Sequence, residues 1–147
     1  LIALPARAST AHIPRATYTE PELAHVGLTE AEARAVHGKR LEVVRAEFNG
    51  NDRARASGHT VGFIKVMVVK GRPVGATIVG ERAGEQIGLW SLAIARGLRM
   101  ADIAAMVVPY PTLCEISKRA AGNYFSPRLF DNETVKRIVR LVQKLLP

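Results

Sequence analysis

Three side chains able to carry chemistry fall within six residues: the phenol of Tyr110, the thiol of Cys114 and the carboxylate of Glu115, in the run Tyr110-Pro111-Thr112-Leu113-Cys114-Glu115. A carboxylate placed near a proton-carrying ring can orient it and support its charge. An unperturbed phenol titrates at about pH 10 and is a poor base near neutrality. Tyr110 therefore reads as a hydrogen-bond donor, a stacking surface or a gate, or as an aromatic packed at a protein seam. Cys114 is the only cysteine, so neither an internal disulfide nor a two-thiol centre is available to this chain. It reads as a small hydrophobe. Glu115 reads, from its position alone, as an acid placed at a helix N-terminus.

The rest of the chain supplies few further parts. His12, His25, His37 and His59 are scattered without ligand spacing, and no metal site is expected. His25 and Glu30 read as surface residues across a loop and a helix start. Neither a G-x-G-x-x-G nor a G-x-x-x-x-G-K-[ST] phosphate loop is present, and no G-x-S-x-G elbow. Whatever the 110–115 segment does, it does with groups held elsewhere.

The elements that must position this segment follow from periodicity. Arg15–Tyr18 reads as a short strand and Thr19–Glu22 as a turn. Thr29 and Glu32 have capping-box spacing, opening a helix that runs to about His37 and stops at Gly38. Leu41–Phe48 is strand-like, and Asn49-Gly50-Asn51-Asp52 is a turn cluster. Val61–Val69 alternates with Ile64, Val66 and Val68 on one face, and Phe63, Lys65, Met67 and Val69 on the other. The Lys70–Pro73 turn returns it to a strand over Val74–Val79, a hairpin pattern. The period then becomes helical over Glu85–Arg96, Met100–Met106 and Leu113–Ala121. A last helix beginning near Asp131 or Asn132 carries the apolar stripe Val135, Ile138, Val139, Val142, Leu145 and Leu146. Strands first and helices later predict an α+β domain, an antiparallel β-sheet with helices packed on it.

Composition sets the outer limits. The 147 residues suit one domain, and 48% hydrophobic content is enough for a core. No apolar run approaches the roughly 18 residues that suggest a membrane span, and Leu1–Leu4 lacks the flanks of a signal peptide. A soluble, cytoplasmic domain that does not bind membranes is expected. The net charge of +8 raises nucleic-acid binding. Lys and Arg are spread through every element, however, and aromatics are only 5%, so no nucleic-acid partner is expected.

Several ordered segments resemble one family. Ile13–Glu22 with Val26-Gly27-Leu28-Thr29-Glu30 is similar to its domain start. Arg53-Ala54 and Gly62-Phe63-Ile64-Lys65 resemble its central portion, and Gly75-Ala76 with Ala83-Gly84-Glu85 the approach to its interface helix. Pro111-Thr112-x-x-Glu115 matches its active-site signature. The family is the pyridine nucleotide–disulfide oxidoreductases, and the likeness, over about residues 12 to 125, is to their C-terminal dimerisation domain. It divides the chain into a lead-in from a preceding domain, residues 1–11, and a dimerisation domain, residues 12–147.

The resemblance implies a homodimeric flavoprotein whose missing domains bind FAD and NAD(P), with a redox cysteine pair outside this chain. The dimerisation domain completes the partner's active site but is inactive alone. The family's usual acid–base is a His immediately before the Pro, oriented by the Glu five residues later. Here that position is Tyr110, while Glu115 remains, so the resemblance makes Glu115 and Tyr110 the catalytic candidates. Tyr110 and Pro111 are expected near the partner's flavin, with a cis bond between them, and Glu85 is not expected to be catalytic. The other reading is a stand-alone homodimeric scaffold without chemistry.

Overall fold

The computed structural model describes residue 10, residues 12–130, and residues 136, 137 and 143. The apolar stripe of the expected last helix lies outside the described residues; of that stretch only residues 136, 137 and 143 are described, all helical.

Among the described residues, five strands make one sheet. They are β1 (Arg15–Thr17), β2 (Glu22–Gly27), β3 (Leu41–Glu47), β4 (Phe63–Val69) and β5 (Arg72–Gly80). Their order is β1-β2-β5-β4-β3, and every neighbouring pair is antiparallel. The helices are α1 (Glu30–His37), α2 (Asp52–Ser57), α3 (Ala83–Ala95), α4 (Met100–Ala105) and α5 (Glu115–Phe130). The α+β class read from the sequence is therefore the observed one.

The alternation along β4 decides how the layers form. Ile64, Val66 and Val68 point into the main core with Ala76 and Ile78 of β5, where Trp90 of α3 and Ile116 of α5 cover them. Met67 points the other way, into a smaller cluster with Leu41 and Ala33 of α1, flanked by Val69 and Val74. Both faces of the central strands are covered, which suits their near-continuous apolar run. In the main layer, the Trp90 indole N–H donates to Ser117 Oγ at 3.1 Å, joining α3 to α5 where both residues are fully buried. A buried indole needs such a partner.

Local chemistry explains most element ends. Glu32 N–H donates to Thr29 Oγ1 at 3.3 Å, and Thr29 N–H donates to Glu32 Oε2 at 2.8 Å, completing the expected capping box. At the start of α3, Gly84 N–H donates to Glu22 Oε2 at 2.9 Å, so a strand carboxylate satisfies one free helix donor. On the solvent side, Glu30 accepts from Arg34 and Lys65, which hold its carboxyl below the usual carboxylate range.

Three elements differ from the sequence expectation. β2 was not anticipated beyond the Thr19–Glu22 turn, because Glu-Leu-Ala-His-Val-Gly is a poor strand sequence on its own. Hydrogen bonding to β1 on one side and β5 on the other supplies what propensity lacks. α2 begins inside the expected turn cluster; it is only six residues long, with Asn51 as N-cap and Gly58 in the left-handed conformation at its end. α5 continues past Ala121 to Phe130, with Pro127 inside it. Packing overrides the proline there: Tyr124 is buried, and Arg128 lies over its ring while pairing with Glu42 of β3.

His25 corrects another expectation. It is not a surface residue but is buried in β2, 7% exposed, with ring nitrogens 2.9 Å from Thr77 Oγ1 and from the Gly27 carbonyl. The carbonyl can only accept, so in the neutral ring Nε2 carries the proton and Nδ1 accepts from the Thr77 hydroxyl.

Gly62 shows why two of the recognisable glycines are glycine. Its φ is +126°, and an added Cβ would stand 2.0 Å from the Val79 carbonyl oxygen. Gly75 has no room either, with Leu28 O at 1.9 Å from such a Cβ. Gly62→Ala is expected to destabilise the chain by about 2–3 kcal/mol through backbone strain and displacement of the β4–β5 pair. Urea denaturation of the two proteins measures this, and a loss below about 0.5 kcal/mol would contradict it.

Candidate active-site segment

The segment between α4 and α5 reaches the surface. Val107 is 92% exposed and Tyr110 70% exposed. The Tyr110–Pro111 peptide bond is cis, as expected from the sequence; a second cis bond joins Glu20 and Pro21. The loop ends where Thr112 meets α5: Glu115 N–H donates to the Thr112 carbonyl at 3.4 Å, and Thr112 N–H donates to Glu115 Oε2 at 3.2 Å. Glu115 thus holds the loop backbone at the first turn of α5, where a negative charge also suits the helix dipole.

The side chains that hold the loop from outside come from the turn before α2. Asn51 is 2% exposed and uses both ends of its amide. Its Oδ1 accepts from Ala54 N–H at 2.9 Å, capping α2, and its Nδ2 donates to the Thr112 carbonyl at 3.0 Å. The next residue completes the clamp: Tyr110 Oη donates to Asp52 Oδ2 at 2.7 Å. Asn51 and Asp52 are the residues that sequence reasoning missed as parts of this site. The Asn-x-x-x-x-x-x-Gly spacing of a capped short helix was the available signal for α2 (Asn51 to Gly58). Nothing in the sequence pointed from there to Tyr110.

The electrostatics follow from these contacts. The hydrogen bond to Asp52, then the Asp52 and Glu115 charges, raise the Tyr110 phenol above its ordinary value. Burial, and then Glu115, push the half-buried Cys114 thiol up. A thiol so shifted is held away from its nucleophilic thiolate form, in line with its reading as a packing residue. Glu85, near the start of α3, is exposed and borders a cavity of about 310 Å³ together with Arg53, Arg82, Gln86, Pro111 and Thr112. In the same region Gln86 Oε1 and Thr112 Oγ1 are buried without hydrogen-bond partners. Among the described residues no group of His, Cys, Asp and Glu could hold a metal ion, and no helix is long and apolar enough to cross a membrane.

An antiparallel sheet covered by helices on both faces, presenting a Tyr–cis-Pro–Thr loop that leads into a helix-initiating Glu, defines a domain that exposes an aromatic ring and a proline at its surface. Comparison with known proteins gives this class its name. The family described as pyridine nucleotide-disulphide oxidoreductase, dimerisation domain, matches residues 13–121. The chain belongs to that family.

Its relatives agree. Dihydrolipoyl dehydrogenase from Bacillus subtilis is 40% identical over 121 residues, covering 80% of this chain and 25% of the relative. The Halobacterium salinarum dihydrolipoyl dehydrogenase is 39% identical over 111 residues, covering 74% and 23%. This chain therefore spans about a quarter of the length of the curated relatives it matches. Among solved structures, LpdA from Mycobacterium tuberculosis superimposes with a TM-score of 0.74 at 21% identity, over 81% of this chain and 26% of that one. The HOCl-induced flavoprotein disulfide reductase RclA from Escherichia coli gives 0.73 at 24% identity, over 82% and 29%. At these identities the structural likeness speaks for the fold.

Asn51→Ala removes the α2 cap and the shorter of the two hydrogen bonds that the Thr112 carbonyl accepts, leaving only the 3.4 Å one from Glu115 N–H. A loss of about 2–3 kcal/mol is expected from the two effects together. Urea denaturation measures it. Amide exchange at Thr112 and Glu115 should accelerate in the variant, and unchanged exchange there would contradict the clamp.

Proposed function

We propose that this domain dimerises an FAD- and NAD(P)-dependent oxidoreductase and completes the active site of the partner subunit through Tyr110, Pro111 and Glu115. The observation that carries the reading is the Tyr110–Pro111 apex, solvent-exposed yet fixed by the Asp52 hydrogen bond and the Asn51–Thr112 contact. An exposed aromatic held rigid at a domain edge is suited to an interface. α3 supports the same reading. It is apolar nearly all round, with Ile87, Trp90 and Ala93 buried inward while Leu92 remains 57% exposed on the outer side. A helix of that kind calls for cover on both sides.

The residues of this chain fit contact with one edge of a flavin held by another subunit, not a nucleotide site of their own. The Tyr110 and Pro111 rings are exposed and adjacent, and phosphate-cradling loops are absent from the sequence. The bound flavin would supply hydride and electron transfer between the nicotinamide and the thiol or other acceptor. The chain's own part is to cover that edge, exclude water and position hydrogen bonds. Tyr110 stands where the family's acid–base His is usual. With its phenol raised and its proton committed to Asp52, it is not a base at neutral pH, so ordinary dihydrolipoamide turnover is not the favoured reaction. The missing FAD and NAD(P) domains belong to the same polypeptide, and the compartment is the cytoplasm.

Two measurements test this. Sedimentation of the 147-residue chain is expected to show concentration-dependent association into a dimer; a monomer at high concentration would remove the dimerisation role from this domain alone. In the flavin-loaded full-length protein, Tyr110→His restores an imidazole beside Glu115. Dihydrolipoamide turnover is expected to rise by about 10² or more, the usual scale for a positioned acid–base. No gain in a flavin-loaded, folded variant would mean that the 110–115 segment does not face the reacting groups.

A further inference from the structure

We infer that Asp52 is a positioning residue for this site, fixing Tyr110 so that its phenol oxygen faces the reacting group as a hydrogen-bond acceptor. The inference rests on the reading above and names the residue and the polarity through which the site acts. Three observations lead to it.

The first is the geometry. Tyr110 and Asp52 are 58 residues apart in sequence, yet Oη and Oδ2 are 2.7 Å apart, the distance of a strong bond to an ionised acceptor. The second is the anchoring of Asp52. It occupies the first turn of α2, directly after the buried Asn51, whose amide caps that helix and holds the Thr112 carbonyl. Tyr110 and Thr112 are thus held by consecutive residues of one rigid turn, with Pro111 between them. An aromatic ring 70% exposed to solvent would otherwise be free to rotate.

The third is the proton count. A phenol has one proton and two lone pairs. The proton is given to Asp52, so only lone pairs remain for anything arriving from the partner side. Asp52 and Glu115 both bear on the phenol electrostatically. The same two carboxylates border a cavity of about 310 Å³ together with Asn51, Lys118 and Arg119. The phenol oxygen therefore offers only lone pairs and suits a group that donates a hydrogen bond, such as a protonated thiol or a hydroxyl.

The contact is tested directly in the full 147-residue chain by tyrosinate absorbance. There are three tyrosines, Tyr18, Tyr110 and Tyr124, and the difference between wild type and Tyr110→Phe isolates the one in question. Asp52→Asn keeps the shape but removes the charge, so the Tyr110 titration midpoint is expected to move down towards the ordinary phenol value. Asp52→Ser serves the same purpose should the Asn variant disturb α2. An unmoved midpoint in folded variants overturns the inference while leaving the proposed function standing.

The role in the site is tested in the flavin-loaded full-length protein with dihydrolipoamide as the protonated-thiol probe. Asp52→Asn and Tyr110→Phe are each expected to raise KM at least threefold with a smaller change in kcat, and the double variant to do no more than either single one. Additive effects, or unchanged kinetics beside a shifted midpoint, would overturn the positioning role. A full-length protein that binds no flavin would instead sink the proposed function, and the tyrosinate titration would still report on the contact.

Discussion

The buried amide of Asn51 is the constraint on which the rest of the site depends. A polar side chain 2% exposed is costly unless each of its ends is satisfied. Here one end closes the first turn of α2 and the other closes on the Thr112 carbonyl. A short helix with little intrinsic stability and a proline-interrupted loop are thereby made one unit. Neither would keep its shape alone: six residues are too few for a stable isolated helix, and the loop has few backbone bonds of its own.

That unit is held in turn by the sheet and its helical layer. α5 begins at Glu115 directly after the loop, and its Ile116 and Ser117 enter the main core, where Ser117 meets Trp90 of α3. The position of Tyr110 is therefore set from both sides, by α2 through hydrogen bonds and by α5 through packing. The result is an edge on which an aromatic ring and a proline are exposed side by side. The domain corresponds to about a quarter of the length of its relatives.

The Tyr110 substitution gains its meaning from this frame. In an unconstrained loop, an exposed tyrosine ring would be free to rotate. Fixed onto Asp52, it becomes a neutral group with a defined polarity, and Glu115 becomes a backbone anchor for Thr112 instead of a partner to an imidazole. Both carboxylates then act on the phenol in the same direction, against ionisation.

The α+β class, the Thr29–Glu32 capping box, the alternation of β4, the β4–β5 hairpin and the family itself were all legible in the sequence. Each rests on short-range spacing: a cap three residues away, a period of two, or a motif of five residues. The cis bond before Pro111 followed from the family resemblance. What the sequence left open was decided by contacts over long separations. β2 needed strands on both sides, α5 ran through Pro127 because Tyr124 and Arg128 pack on β3, and His25 moved from an expected surface to a satisfied place within the sheet. The partnership of Asp52 with Tyr110 spans 58 residues and leaves no periodic trace, since a single hydrogen bond imposes no pattern on the chain between its ends. The residue types of the Tyr-Pro-Thr-Leu-Cys-Glu segment were fixed locally, but which proton Tyr110 gives away, and to whom, was decided only when the fold brought α2 beneath it.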